Sequence, residues 1–443
     1  MFIIEIRNLI FCRELILRDI EEFRTNLDKI IKTEKKRFKD PKSAEKVLEF
    51  DKLWRSVLQE IQDLRQKRNE GSSQISKYKK SGEGDKAKNA ILQSKLIKEK
   101  IDELEKKKVE YLERREKYRY SIGNDLHESV PIGETEESNL IIRKFGKIPE
   151  FDFQPLSHVN LIQDINGADI KKASEVVGSR FYYLKGDLVL LNLALIRFAL
   201  DKLISKNYKP LWTPFFMKRD IMKAAAELAD FEETLYKIED EDIFMIATSE
   251  QTLAAYHYDE IIDPDSLPLK YAGVSSCFRR EAGSHGKDTL GIFRVHQFEK
   301  VEQFVFCKPE NSWNIFEELI SNTEELFSEL KLPYRVVNIA SGELNDNAAM
   351  KYDLEAWFPA SNIYRELVSC SNCLDYQARK LKVRIGKVGS TQKKETAHTL
   401  NCTAIATERT ICCILENYQN KDGSVSIPKA LQKYMNGKKL INS

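Results

Sequence analysis

The feature that most constrains the fold is a long stretch near the N-terminus without proline. After Pro41 the chain runs to about residue 122 with no proline and is rich in lysine and glutamate, as in long helices. Its apolar and long side chains step alternately by three and four residues in two series: Val47, Phe50, Trp54, Val57, Ile61, Leu64 and Arg68, then Ile97, Ile101, Leu104, Lys108, Tyr111, Arg115, Tyr118 and Ile122. This 3.5-residue period predicts two coiled-coil helices.

Residues 79–86, KKSGEGDK, separate the two series and provide two glycines where the chain can reverse. We therefore expect an antiparallel helical hairpin that forms an arm of about 50 Å. Near its tip, residues 65–100 contain eleven Lys or Arg and four Asp or Glu, a local net charge of +7, whereas the whole chain carries +2. The charge run is compatible with a solvated helix face, but on a projecting hairpin it favours binding of a polyanion such as RNA.

Length and composition describe a globular protein of two or three domains, with 443 residues, 42% of them hydrophobic and 32% charged. The eight cysteines are scattered, which favours a reducing compartment without disulfides. Cys370 and Cys373 form one CxxC, but a zinc site would need two more ligands at a suitable spacing. The apolar N-terminus is broken by Glu5 and Arg7, so we expect neither a signal peptide nor a membrane span, and a cytoplasmic location.

The pattern changes after the helical stretch. Residues 123–150 contain three glycines and two prolines and are interpreted as a linker. A helix is predicted over 188–203 and a strand over 209–216, whose Pro210 and Pro214 confine it to a sheet edge or to irregular pairing. Further strands are predicted near residues 243–249, 271–281, 292–306, 335–339 and 362–370. The expected fold class is α+β with a mainly antiparallel sheet.

One densely charged stretch, FRREAGSHGKDTLGIFRVHQFEKVE at 278–302, predicts a long-looped antiparallel hairpin. Because alternate residues of a strand share a face, Arg279 and Glu281 should lie together on the first strand. On the second strand the shared face would carry Arg294, His296, Phe298, Lys300 and Glu302. Such a face is a poor core, and the simplest interpretation from this stretch alone is a solvated outer face of the sheet.

In combination, these motifs resemble the class II aminoacyl-tRNA synthetases, and most closely the seryl-tRNA synthetases. The 278–302 stretch is similar to the second signature motif of the class, TERTICCILENYQ at 407–419 to the third, and the helix running into WTPFF at 212–216 to the first. The seryl family is indicated by ATSEQ at 247–251, by YRELVSCSNCLDYQAR at 364–379 and by the N-terminal coiled coil. The resemblance extends over nearly the whole chain.

The resemblance implies two domains: a tRNA-binding domain with the coiled-coil hairpin at 1–125, and a class II catalytic domain at 126–443, in which helices flank the sheet. It also implies that the chain activates L-serine with ATP and transfers it to tRNA(Ser), which the arm clasps. A homodimer through the first motif near Pro214 is expected. Two rival functions stay open at this point, a ligase that loads an amino acid onto a carrier protein and a non-catalytic RNA-binding or scaffolding paralogue.

The resemblance also assigns site residues. Arg279 is expected at the α-phosphate of ATP, and Arg294 and Arg409 at the γ-phosphate. Further ATP contacts are expected from Arg280, Glu281, Val295, Phe298, Glu366, Leu367, Val368 and Ser369. Glu366 and Ser369 are also the expected Mg²⁺ ligands, and their spacing requires a bulge or a strand end.

For serine, the resemblance implies a pocket formed by Thr248, Ser249, Glu250, Glu302 and Thr403. Thr403 stands in NCTAIATE, where many bacterial relatives carry a serine within a glycine-rich run. A pocket that hydrogen-bonds the serine hydroxyl can reject alanine without an editing domain. His285 and Lys287, in the loop of the second motif, are expected to approach the acceptor end of the tRNA.

Overall fold

The computed structural model describes residues 18–226, 234–281, 290–392 and 394–442. The described residues divide into two compact units, one of residues 18–122 and one formed by those from residue 123 onward. The boundary predicted between residues 125 and 126 lies close to this division.

The N-terminal unit is helical and contains the predicted hairpin. Its helices are α1 (Ile20–Thr25), α2 (Leu27–Lys36), α3 (Lys42–Lys80) and α4 (Gly84–Tyr120). The chain reverses between α3 and α4 at Gly82, whose φ of +77° suits glycine. The seam of the two long helices buries Val57, Ile61, Ile101 and Leu104. The two helices predicted from the 3.5-residue period are therefore confirmed.

Asp51 holds the base of the hairpin together. Its carboxylate is fully buried and accepts hydrogen bonds from Arg24 Nε (2.9 Å) and Nη2 (3.0 Å) and from Arg115 Nη1 (3.0 Å). Burial disfavours the charged form, but the hydrogen bonds and charges of Arg24 and Arg115 outweigh it and lower the pKa of Asp51. The seam position of Arg115 is thereby explained, because its guanidinium pairs inside the unit.

The second unit is built on an eight-stranded sheet. In chain order the strands are β1 (Leu140–Phe145), β2 (Lys209–Trp212), β3 (Leu269–Phe278), β4 (Gln297–Cys307), β5 (Tyr334–Asn338), β6 (Met350–Phe358), β7 (Ile363–Asn372) and β8 (His398–Ala406). Their order in the sheet is β1-β5-β6-β7-β8-β4-β3-β2. All neighbours are antiparallel except β2, which pairs parallel to β3 at the edge, where its proline is tolerated.

Nine helices of the described residues accompany this sheet: α5 (His158–Asp164), α6 (Ile170–Val176), α7 (Asp187–Ser205), α8 (Arg219–Ala225), α9 (Ser249–Ala254), α10 (Ser312–Glu329), α11 (Tyr376–Lys380), α12 (Thr407–Asn417) and α13 (Lys429–Gln432). Short strand pairs join Phe216–Lys218 to Ile243–Met245, Ala168–Asp169 to Tyr183–Leu184, and Val425–Ser426 to Leu440–Ile441. A three-stranded sheet combines Ile261–Ile262, Arg384–Ile385 and Glu395–Thr396. Together with the sheet, these helices confirm the α+β class.

The two faces of the sheet have different roles at its centre. On β4, Gln303 points to α10, where its Nε2 donates to Leu319 O (3.1 Å) and Thr323 Oγ1 (3.0 Å). The preceding residue, Glu302, points to the opposite face because side chains alternate along a strand. One face therefore carries the helical core, and the other lines a cavity.

The structure corrects two expectations about secondary structure. The predicted linker 123–150 contains the edge strand β1, and Asn124 at its start donates to Asn347 O and Cys373 O of the same unit. Turn residues dominate the composition of this segment, but its one apolar run pairs with β5. The strands β6 and β8 were not predicted. β8 is buried along nearly its full length, so it does not show the alternation of a half-buried strand.

Both cysteines of the CxxC, Cys370 and Cys373, are fully buried, as expected for core residues. None of the helices in the described part of the chain has the length and apolar content that crossing a bilayer requires.

We expect Asp51→Asn to lower the free energy of unfolding by about 3 kcal/mol, because two guanidinium groups would lose their buried carboxylate. The measurement is urea denaturation followed by far-UV circular dichroism. Asp63→Asn, an exposed position on the same helix, should change stability by less than about 0.5 kcal/mol. Equal effects of the two substitutions would contradict the role given to Asp51.

Candidate active site

A cavity of about 370 Å³ lies on the sheet face opposite α10 and is lined by residues of β4, β7, β8, α9 and α12. Thirteen of the sixteen predicted site residues line it: Thr248, Glu250, Arg279, Glu281, Arg294, Val295, Phe298, Glu302, Glu366, Leu367, Ser369, Thr403 and Arg409. Ser249, Arg280 and Val368 lie outside this lining. Ser249 and Val368 are buried, and Ser249 Oγ donates to Gly273 O at 3.4 Å.

Strand alternation places three of these side chains in one row. Phe298, Lys300 and Glu302 occupy every second position of β4, and all three line the cavity. Gly273 of β3 is in register with Glu302, and a Cβ there would come within 2.6 Å of Leu253 and 3.1 Å of Ser249 Oγ. Glycine at this position therefore lets α9 approach the sheet and close the cavity on that side.

The inner part of the cavity holds a buried ion pair. Lys300 Nζ lies 2.6 Å from Glu302 Oε2, and Thr403 Oγ1, from the neighbouring strand β8, donates to the same oxygen at 3.2 Å. Only 1% of Glu302 and 7% of Lys300 is exposed. Burial raises the pKa of Glu302, and the Lys300 ammonium opposes this rise. The Thr403 hydroxyl and the Glu302 carboxylate can together bind a small hydroxylated ammonium ligand.

Glu250 is positioned by the start of α9. The Thr248 side chain caps this helix by accepting a hydrogen bond from the backbone N of Glu250 (3.1 Å). Glu250 Oε1 in turn accepts from Gln377 Nε2 (2.9 Å) and Asn401 Nδ2 (3.1 Å). This network fixes a second carboxylate on the cavity wall.

Three arginines contribute positive charge to the outer part of the cavity. Arg294 Nε donates to Glu281 Oε2 at 2.6 Å, and Arg409 Nη1 donates to the backbone O of Glu366 at 3.0 Å and lies 3.5 Å from its Oε2. Arg279 Nε donates to Ala247 O (3.3 Å), and its guanidinium carbon lies 5.1 Å from the centroid of the Phe298 ring. Planar guanidinium groups beside an aromatic ring are suited to phosphates and a flat base.

The structure corrects the parity argument for these arginines. β3 ends at Phe278 and β4 begins at Gln297, so Arg279, Glu281 and Arg294 are not strand residues. Glu281 has a φ of +47°, which turns the chain out of the strand direction. The charged side chains still lie together because Arg294 donates a hydrogen bond to Glu281. His285 and Lys287 lie outside the described residues.

A bulge brings the two expected metal ligands to the cavity. Leu354 of β6 pairs with Val368 and Glu355 pairs with Glu366, so Leu367 is the extra residue on β7. This is the irregularity that the spacing of Glu366 and Ser369 required. Both residues then line the cavity.

The oxygen ligands at this bulge fit a hydrated Mg²⁺ ion. Desolvation disfavours ionisation of Glu366, but the charges of Arg409 and Lys351 outweigh it and lower its pKa, so the carboxylate stays anionic. Asp353, opposite Ser369, is buried, and its Oδ1 has no hydrogen-bond partner among the described residues. Among those residues there is no cluster of three or more His, Cys, Asp or Glu that could hold a metal. Mg²⁺ usually needs one or two carboxylates together with substrate phosphates, so the set fits it with ATP.

Several cavity residues were not assigned a role from the motifs, among them Lys300, Phe293, Asn401 and Glu408. Parity already placed Lys300 on the face of Glu302. Phe293 was hidden in a loop, and in the structure its ring lies 3.6 Å from the Arg365 guanidinium carbon and 5.2 Å from that of Arg409. Asn401 belongs to β8, a strand that was not predicted.

Glu408, next to Arg409 on α12, is an almost completely buried acid. Its Oε1 accepts from Tyr182 OH (2.6 Å), and its Oε2 accepts from Thr407 Oγ1 (2.9 Å) and from the backbone N of Glu299 (3.0 Å). Burial and the Glu299 carboxylate raise the pKa of Glu408 well above its ordinary value. The raised pKa favours the protonated form of Glu408, and its hydrogen bonds anchor the start of α12, and hence Arg409, to β4.

Comparison with known proteins identifies the family. Residues 17–126 match the model of the seryl-tRNA synthetase N-terminal domain, and residues 235–418 match the tRNA synthetase class II core domain (G, H, P, S and T). The serine–tRNA ligase of Methanosphaera stadtmanae is 56% identical, with 96% of this chain and 99% of the relative covered. The chain belongs to the seryl-tRNA synthetase family. A relative from Arabidopsis thaliana, named as cytoplasmic serine–tRNA ligase, is 46% identical over 95% of this chain and 94% of its own length.

A solved seryl-tRNA synthetase also matches this chain in structure. The crystal structure of the Pyrococcus horikoshii seryl-tRNA synthetase complexed with ATP has a TM-score of 0.87 and 44% identity, and the match covers 96% of this chain and 99% of that one. The predicted family, the α+β class II fold and the aminoacyl-tRNA synthetase class are thus confirmed.

The raised pKa of Glu408 can be tested through the pH dependence of stability. A carboxyl whose pKa is raised in the folded state takes up a proton on folding, so its contribution to stability falls, by about 1.4 kcal/mol per pH unit, as the pH rises from about 4.5 toward the folded-state pKa. Glu408→Gln removes this proton uptake. The difference in Tm between the variant and the wild type should therefore shift in favour of the variant as the pH is raised from about 5 to about 8.

The matched control for Glu408→Gln is Glu310→Gln, an exposed position beyond the end of β4, whose Tm difference from the wild type should stay constant. Parallel curves of Tm against pH for Glu408→Gln and the wild type would mean that Glu408 is ionised in the folded protein.

Proposed function

We propose that this chain is a serine–tRNA ligase that activates L-serine with ATP to seryl-adenylate and pyrophosphate, and then transfers the seryl group to the 3′ end of tRNA(Ser). The observation that carries this proposal is the inner cavity, where the buried Glu302 carboxylate lies beside the Thr403 hydroxyl, while three arginines occupy the outer part. An amino acid with a short hydroxyl side chain fits the inner part, and a polyphosphate fits the outer part.

In the serine pocket, Glu302 binds the ammonium group, and Thr403 together with the carboxylates binds the side-chain hydroxyl. Glu250 adds negative charge from the opposite wall, held by Gln377 and Asn401. If alanine entered, the buried polar groups that bind the serine hydroxyl would be left without hydrogen-bond partners. The pocket should therefore bind serine much more tightly than alanine.

In the ATP site, Phe298 stacks with adenine, and Arg279 neutralises the α-phosphate. Arg294 and Arg409 bind the γ-phosphate, which requires that they exchange Glu281 and Glu366 for phosphate oxygens. Glu366 and Ser369 would hold Mg²⁺, which would supply charge neutralisation on the phosphates. Glu281 and the backbone near Val295 form hydrogen bonds with the edge of the adenine.

The chemistry of activation needs no general base, since the serine carboxylate is already ionised. One carboxylate oxygen bonds to the α-phosphorus, the bond from that phosphorus to the bridging oxygen breaks, and the electron pair leaves with pyrophosphate. The chain contributes positioning and charge neutralisation, most directly through Arg279 at the reacting phosphate.

The arm is the proposed tRNA-binding element. Residues 65–100 carry a net charge of +7, and Lys77, Lys79 and Lys80 near the turn form no ion pair with the acidic side chains that the structure describes. Contacts between lysine side chains and phosphates of a nucleic acid contribute affinity and orientation but do not recognise its sequence. The helical arm binds the long variable arm of tRNA(Ser).

A homodimer through the first motif is supported by exposed apolar side chains on either side of Pro214. Leu193 of α7 is 57% exposed and Trp212 of β2 is 74% exposed, and α7 packs next to β2. Val189, Leu190 and Phe216 are exposed as well. Apolar exposure of this extent is typical of a surface that a second copy covers.

The likeness to the Arabidopsis relative supports a cytoplasmic location.

Serine-dependent exchange of labelled pyrophosphate into ATP tests the proposal directly. The wild-type protein should catalyse the exchange with L-serine and not with L-alanine, and should then acylate tRNA(Ser). Exchange with another amino acid, or none with any amino acid, would contradict the proposed function.

In the proposed pocket, Glu302→Gln should raise the KM for serine and lower kcat/KM by about 10- to 1000-fold, because a charge-assisted hydrogen bond is lost and buried partners stay unsatisfied. The measurement is steady-state pyrophosphate exchange at saturating ATP. Glu310→Gln is the control and should behave as the wild type. Unchanged serine kinetics in Glu302→Gln would remove this residue from the pocket.

Replacing residues 65–100 by a short glycine-containing turn should leave serine-dependent exchange nearly intact and abolish efficient transfer to tRNA(Ser). The KM of the wild type for tRNA should rise with salt more steeply than that of the shortened enzyme, because fewer phosphates are neutralised. Normal aminoacylation by the shortened enzyme at unchanged tRNA KM would reduce the arm to a spacer.

A further inference from the structure

Lys300 stands out because a lysine ammonium is rarely buried, and neither sequence motifs nor the proposed ATP contacts require it. Only 7% of its surface is exposed, and it lines the inner part of the cavity with its Nζ 2.6 Å from Glu302 Oε2. Removing an ammonium group from water costs several kcal/mol, which an ion pair in a buried site repays only partly. Two apolar residues of similar volume would fill this space without that cost.

The pair has the charges that complement an amino acid. A free α-amino acid is a zwitterion whose ammonium group and carboxylate lie close together, and Lys300 and Glu302 present an ammonium and a carboxylate, two positions apart on one face of β4. When the serine ammonium takes the place of the Lys300 ammonium at Glu302, Lys300 loses its partner. The serine carboxylate, brought in by the same ligand, replaces that partner, so the number of buried ion pairs does not fall.

We propose that Lys300 binds the carboxylate of the amino-acid substrate and that, before substrate enters, it holds the place of the substrate ammonium at Glu302. This inference rests on the proposed function. The chemistry of lysine suits the task, because its compact ammonium has three rotatable donors on a flexible stem and can move between two carboxylates. A planar guanidinium, as in Arg279, suits the neighbouring phosphate instead.

The arrangement also explains why an amine without a carboxylate should bind poorly. Such an amine must displace Lys300 from Glu302 and leaves the lysine ammonium buried without a counter-charge. The pocket thereby selects amino acids over simple amines before the reacting groups meet. Arg279, the proposed α-phosphate ligand, lines the same cavity.

The test compares L-serine with L-serinamide, which keeps the ammonium and the hydroxyl but replaces the carboxylate by a neutral amide. Both are titrated into the full-length enzyme without ATP by isothermal calorimetry at one pH. The wild type should bind L-serine at least about 10-fold more tightly than L-serinamide, since a charge-assisted bond separates them. In Lys300→Met this ratio should fall to within about threefold, and in Lys300→Arg it should stay above the value of Lys300→Met.

The ratio of the affinities for L-serine and L-serinamide distinguishes binding of the carboxylate by Lys300 from a purely structural role of Lys300. If Lys300 served only to keep Glu302 ionised, Lys300→Met would weaken both ligands equally and the ratio would not change, which would overturn the proposal. Equal affinity of the wild type for both ligands would also overturn it, whether or not the variants fold. Absence of both serine binding and serine-dependent exchange in the wild type would instead refute the proposed function itself.

Discussion

The buried pair of Lys300 and Glu302 is the constraint on which the site depends. It can exist only where a central strand is covered on both faces, and β4 meets this condition because α10 packs on one face while the cavity lies on the other. Register with β3 and β8 then sets its neighbours. Thr403 is placed directly opposite Glu302 on one side, and Gly273 is opposite on the other, where it admits α9. A one-residue slip of any of these pairings would turn the charges into the core.

The cations of the outer cavity are likewise paired with acidic residues. Arg294 pairs with Glu281 and Arg409 with Glu366, so each of these cations, like Lys300, has an acidic partner within the site. A site for a polyphosphate and a zwitterion needs many charges in a small volume, and without internal partners these charges would repel each other. Internal pairing lowers that repulsion, and substrate binding then exchanges one set of ion pairs for another. Glu408, whose pKa is raised by burial, anchors α12 beside Arg409 through its hydrogen bonds.

The sequence predicted the architecture where the pattern was local, and missed it where burial on both faces removed the pattern. The hairpin followed from its 3.5-residue seam, and the edge position of β2 followed from Pro210. Strand β8 was missed because it is buried on both faces, and Asn401 was missed with it. Thirteen of the sixteen site residues that the motifs predicted line one cavity. Phe293 and Glu408 could be recognised only through partners distant in sequence, Arg365 and Tyr182. Parity along a strand correctly placed Lys300 beside Glu302 and misplaced Arg294, which lies before β4 begins.

The most direct measurement is a crystal structure of this chain with L-serine and a non-hydrolysable ATP analogue bound together. An exchange of ion pairs predicts that Lys300 Nζ leaves Glu302 for the serine carboxylate, that the serine ammonium replaces it at Glu302, and that Arg294 and Arg409 leave Glu281 and Glu366 for phosphate oxygens. Retention of all three internal pairs with both substrates bound would contradict this account.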